Sequence, residues 1–155
     1  MAALHSWDGE RLTQRELTAG VHIVVNSGLG GDLLPGDAPG SGYPARTPGP
    51  QSTEADHELA RIAYFAPRFG AAVRPVPRPG SPVAQAWGAW LPLVNGGGIP
   101  ADDPRALIVR RDLGDGRIWG TTSITLVALS PAGIRYDFSG APGDPAGWGP
   151  VPVTV

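Results

Sequence analysis

The stretch IWGTTSITLVALSPAGIRYDF, residues 118–138, decides the fold class. Ile118 to Leu129 is rich in Thr, Ile, Val and Leu and alternates well enough for a strand, since β-branched side chains fit a pleated surface. Ser130-Pro131-Ala132-Gly133 gathers turn residues, and Ile134 to Phe138 reads as the returning strand. Outward from this hairpin, Asp115-Gly116 is a tight turn and Ala106 to Val109 a short apolar run. The tail after Gly140 is rich in Gly and Pro and is expected to be irregular.

Further upstream, Val83, Ala86, Trp87, Trp90, Leu91 and Val94 fall at helical spacing, with Gly88 and Pro92 weakening the helix and Asn95-Gly96-Gly97-Gly98 ending it. Arg74 to Pro82 alternates with Pro and reads as an extended linker. Thr53 is a helix cap, and Leu59, Ile62, Ala63, Ala66 and Phe69 give a second helix one apolar face. Pro67 removes a backbone donor and should kink or end that helix near Ala66. Ser27 to Ser52 is a long Gly/Pro/Ser/Asp-rich stretch, read as a flexible loop. Val21 to Asn26 is short, β-branched and bounded by Gly, which predicts a buried strand. Ala3 to Asp8, the turn Asp8-Gly9 and Glu10 to Leu17 suggest an opening hairpin. Strands, then two helices, then a hairpin predict an α+β layered arrangement, not an alternating βαβ fold.

Composition narrows the function classes. The chain of 155 residues suits one domain with one core, and 41% hydrophobic content makes that core modest. The formal charge of −2 and the absence of a basic stripe argue against nucleic acid. All 12 basic residues are Arg, a coding bias expected of a GC-rich bacterial genome. With no Cys, disulfides, thiolate metal sites and cysteine nucleophiles are excluded within this sequence. No signal peptide and no apolar run of membrane-spanning length is visible, so a cytoplasmic location is expected.

Motifs that would carry chemistry are incomplete. His57-Glu58-Leu59-Ala60-Arg61 has Arg where a zinc-protease helix needs its second His. His5, His22 and His57 share no ligand spacing, so no metal site is expected. Ser27-Gly28-Leu29-Gly30-Gly31 lacks the Lys-Ser/Thr of a phosphate loop. Asp102-Asp103, and Asp112 with Asp115, read as solvated turn carboxylates. There is no Gly-x-Ser-x-Gly elbow. Trp87 and Trp90, three apart on one helix, are either core or an aromatic wall for an apolar ligand.

Several segments together resemble the NRDE family (transport and Golgi organisation protein 2-like). Leu4-His5-Ser6-Trp7-Asp8-Gly9 followed by Leu17-Thr18-Ala19-Gly20-Val21-His22-Ile23-Val24-Val25-Asn26 is similar to the family strand that leads through a Pro-Gly-Val/Leu-His pattern into an Asn. Trp119-Gly120-Thr121-Thr122-Ser123-Ile124 resembles its aromatic-Gly-Thr segment heading a strand, and Arg61-Ile62-Ala63 with Pro67-Arg68-Phe69 its variable helical region. The resemblance covers roughly residues 4–139.

It implies a partial αββα, N-terminal-nucleophile-hydrolase-like fold, with Asn26 carried over as an oxyanion-positioning residue. The namesake Asn-Arg-Asp-Glu tetrapeptide and the N-terminal Cys are absent, and Thr122 stands where many members have Arg. The expectation is therefore a truncated, non-catalytic form corresponding to the C-terminal portion of the fold, over residues 1–139, with no bound cofactor. Family members implicated in haem or acyl-lipid handling imply a hydrophobic small-molecule partner, with Trp87, Trp90, Trp119 and Thr121 as ligand-binding candidates and His5 or His22 as the sole axial-ligand candidates. The missing strands should leave a sheet edge or face open to self-association. The alternative is an amidohydrolase completed only by an upstream segment.

Overall fold

The computed structural model describes residues 2–7, 9–25, 28, 29, 54–131 and 133–153. The chain divides into two compact units, 1–70 and 71–155. Both follow an α+β plan of small antiparallel sheets and few helices.

In the first unit, β1 (Ala2–Trp7) and β2 (Leu12–Leu17) form the expected opening hairpin, in register from Ala2 opposite Leu17 to Trp7 opposite Leu12. Two further strands, β3 (Val24–Val25) and β4 (Gly28–Leu29), pair antiparallel. The expectation of a buried strand over Val21 to Asn26 is corrected here: among its described residues only Val24 and Val25 are in a strand, and Val21 and Val24 are exposed. Asn26 and most of the loop expected at 27–52 lie outside the described residues.

Helix α1 (Glu54–Ala71) continues past Pro67, so of the kink or end expected near Ala66 the end does not occur. Its buried face is Glu58, Ile62 and Phe65, with Ala60 beside them, rather than the stripe beginning at Leu59. Positions 58, 62, 65 and 69 lie along one side of the helix, and the rings of Phe65 and Phe69 lie 6.3 Å apart across Pro67. That continuous stripe carries the helix past the residue that should break it. Proline cannot donate to the carbonyl one turn before it. One residue on, Arg68 Nη1 donates to the Tyr64 carbonyl at 2.6 Å, and its guanidinium carbon lies 3.5 Å from the Tyr64 ring centroid. Pro67→Ala should therefore raise the unfolding free energy, by about 1–3 kcal/mol, measurable by urea denaturation.

The second unit begins with an extended strap over residues 73–78. The single helix expected over Val83 to Val94 is two short ones, α2 (Val83–Trp87) and α3 (Trp90–Val94). The break falls at Gly88, whose φ of 49° and ψ of −127° suit glycine far better than residues with a β-carbon. The strand expected over Ile118 to Leu129 is likewise split. Its first part, β6 (Ile118–Gly120), pairs with β5 (Arg110–Asp112), and its second, β7 (Ile124–Ser130), pairs along its whole length with β8 (Gly133–Ser139). The tail is not irregular throughout. A 3-10 turn at Pro145–Gly147, capped by Asp144, delivers β9 (Trp148–Pro150) to the free side of β8. The sheet order is β7-β8-β9.

Candidate functional site

Alternation along β8 divides its side chains between two sides of the sheet. One side carries Ile134, Tyr136 and Phe138, of which Ile134 and Phe138 are exposed; the other carries Arg135, Asp137 and Ser139, all buried. The buried side of this strand is thus entirely polar. Asp137 has no exposed surface and accepts three hydrogen bonds: from the Trp87 indole N–H at 2.7 Å, from Arg135 Nε at 2.5 Å and from Arg135 Nη2 at 3.1 Å. The remaining arm of Arg135, Nη1, donates to the Arg78 carbonyl at 2.7 Å and to Ser81 Oγ at 3.0 Å. One carboxylate and one guanidinium thereby fasten the strap and α2 to the sheet. Such a pair contributes little net stability against an apolar replacement, but losing one member strands the other without compensation.

Trp87 is 3% exposed and serves this clamp, so it presents no open aromatic wall. Trp90, on the other side of the Gly88 break, is half-buried. Trp148, on β9, donates from its indole to Asn95 Oδ1 at 2.9 Å, tying the tail to the end of α3.

The remaining tryptophan candidate is accessible. Trp119 is 51% exposed on β6, directly opposite Arg111 of β5, whose guanidinium carbon lies 5.4 Å from its ring centroid. Strand alternation places Leu113 on the same side of the hairpin, and it too is exposed. The hairpin is short but well fixed. Leu113 N donates to the Arg117 carbonyl at 2.9 Å, and Arg117 Nε pairs with Asp115 at 2.8 Å across the turn. Behind it, Thr121 is a fastener: its N–H donates to the Val109 carbonyl at 2.9 Å, and its Oγ1 accepts from Val109 N at 3.1 Å. Gly120 lies against the same carbonyl. The aromatic-Gly-Thr segment thus has a mechanical reason: Gly allows the close crossing, Thr locks it, and the aromatic residue is left facing outward.

The carboxylates singled out in the sequence are engaged in turns. Asp103 accepts from Arg105 N, Nε and Nη2 at 2.8, 2.9 and 2.7 Å. The Arg105 side-chain hydrogen bonds hold its carboxyl below the ordinary value of 3.8. A carboxyl so depressed stabilises the fold above its unfolded pKa, and that contribution is lost as pH falls through the folded pKa. Asp103→Asn should therefore flatten the lowest part of the acid limb of a stability-versus-pH curve, leaving the neutral region parallel to wild type. Asp112 accepts from Gly114 N at 2.8 Å.

Among the histidines, His5 and His22 are exposed in the first unit. His22 Nε2 lies 2.8 Å from the Thr18 carbonyl, an acceptor to which that nitrogen donates. Glu58, beside His57 on α1, is buried.

Of the residues expected to form a ligand site, the second unit holds Trp87, Trp90, Trp119 and Thr121; Trp87 belongs to the buried clamp, and Thr121 adjoins Trp119. Sequence reasoning missed Arg135 and Asp137. Their signal was two opposite charges at i and i+2 inside an otherwise apolar strand, a pattern that puts both on one side of the sheet. No helix is long and apolar enough to cross a membrane among the described residues. No protein-family model, curated protein or solved structure matches the chain.

Proposed function

We propose that the chain is a non-catalytic NRDE-type module that binds an amphiphile with an apolar tail and an anionic head, an acyl lipid rather than haem. The observation that carries this reading is the exposed face of the β5–β6 hairpin, where Trp119 and Leu113 offer apolar surface beside the Arg111 guanidinium. Aromatic and aliphatic surface next to a guanidinium suits an acyl chain ending in a carboxylate, thioester or phosphate. Haem is disfavoured because the hairpin, residues 110–120, carries no His, Cys, Met or Tyr to ligate its iron. The resemblance to the NRDE family is what places this module among hydrolase-like αββα folds; an amidohydrolase reading would need a nucleophile from outside this cysteine-free sequence.

Titration with a long-chain acyl-CoA below its micelle concentration, followed by tryptophan emission, tests the reading. A saturable change is expected, abolished by Trp119→Ala and weakened about tenfold by Arg111→Gln, equivalent to about 1.4 kcal/mol. Absence of a saturable change, or unaltered affinity in Trp119→Ala, contradicts it.

A further inference from the structure

We propose that β7 is a pairing edge for a second copy of this chain, the two strands meeting antiparallel about a two-fold axis at Val127. Three observations carry it. First, β7 pairs only with β8 among the described residues, and no other described backbone group bonds to residues 124–129. Its second row of N–H and C=O groups therefore asks for an extended strand.

Second, the sequence of β7 has none of the residues by which edge strands avoid such pairing. It runs seven residues, Ile124-Thr125-Leu126-Val127-Ala128-Leu129-Ser130, with no charge, no Pro and no Gly. It is also apolar on both sides: Leu126 is buried, whereas Val127 and Leu129 are 52% and 76% exposed. A strand apolar on both sides is the pattern of an interior position in a sheet, not an edge.

Third, the strand is self-complementary. Centred on Val127, antiparallel pairing places Thr125 opposite Leu129 of the other copy, Leu126 opposite Ala128, and Val127 opposite itself. No like charges meet, and small residues face large ones. A two-fold axis requires this kind of match, because every contact is made twice. The result joins two three-stranded sheets into one, and brings Val127 and Leu129 of both copies, with Ile134 and Phe138, onto one side. The acyl-binding hairpin is not part of this edge, so failure of one proposal leaves the other standing.

The absence of Cys makes the test direct. Directly opposed residues of antiparallel strands hold their Cα atoms at about 4.5–5.5 Å, within disulfide range. Val127→Cys should cross-link into a covalent dimer under mild oxidation at least about tenfold faster than Val73→Cys, a more exposed control outside the strand, because pairing raises the local thiol concentration. The wild-type chain should sediment as a dimer whose melting temperature rises with protein concentration, and Val127→Lys, which sets two ammonium groups face to face, as a monomer that still melts cooperatively but without that concentration dependence. A monomeric wild type, equal cross-linking of Val127→Cys and Val73→Cys, or a dimer that survives Val127→Lys would each overturn the proposal.

Discussion

Asp137→Ala is expected to lower the unfolding free energy of the second unit by about 3–5 kcal/mol, a large share of the roughly 5–15 kcal/mol that holds an ordinary domain folded. The substitution removes the acceptor for three hydrogen bonds at once. Arg135 is left as a buried guanidinium with only the Arg78 carbonyl and Ser81 Oγ as partners, and the Trp87 indole N–H is left without an acceptor. Most of the loss is the cost of uncompensated charge rather than of the absent carboxylate. Asp137→Ala combined with Arg135→Met should consequently be less damaging than Asp137→Ala alone. That reversal separates an electrostatic clamp from simple packing, and urea denaturation followed by tryptophan emission reads it. A double variant more damaged than the single would show that the pair acts through its volume.

Gly120→Ala should cost about 3 kcal/mol although it adds one methyl group. The added carbon would overlap the carbonyl oxygen of Val109 and press on the backbone of Arg110, neither of which is the far end of a flexible side chain. Val109 and Arg110 cannot move without breaking the Thr121 N–H bond and the pairing of Arg110 with Gly120. The damage should be concentrated in the β5–β6 hairpin. Trp119 emission should shift toward that of a fully solvated indole, and amide exchange should quicken at Arg110–Asp112 while β7 and β8 keep their protection. Retention of native exchange rates in the hairpin would show that the crossing is looser than the structure indicates.

These two sites also show what the sequence could and could not convey. The hairpin β1–β2 was legible from its turn dipeptide Asp8-Gly9, and β7–β8 from β-branched alternation and turn residues, both of which act locally. The α1 helix was legible in its start but not in its end, since the Phe65–Phe69 stripe outweighs the local effect of Pro67. The break between α2 and α3 was present only as the weak signal of Gly88. At β8 the local rule gives the opposite answer to the structure. Alternation alone turns Ile134, Tyr136 and Phe138 toward a core, yet Arg135, Asp137 and Ser139 are inside. The reason lies 50 residues away in the chain, in an indole N–H of α2 that needs a buried acceptor. Likewise Trp87 could not be told from Trp119 as a ligand contact: both are single tryptophans near glycine, and only tertiary placement makes one a hydrogen-bond donor in the interior and the other an exposed ring beside a guanidinium.

The account depends on which side of β8 faces inward, because a slip of one residue would exchange the two sets of side chains. Thiol labelling of two neighbouring single-cysteine variants decides it, with no native Cys to interfere. Phe138→Cys should react with a small thiol reagent at close to the rate of an unfolded chain. Ser139→Cys, nearly isosteric and fully buried, should stay protected until the protein is denatured. Rapid labelling at 139 with protection at 138 would contradict the polar interior, and with it the clamp and the exposed apolar face of the sheet.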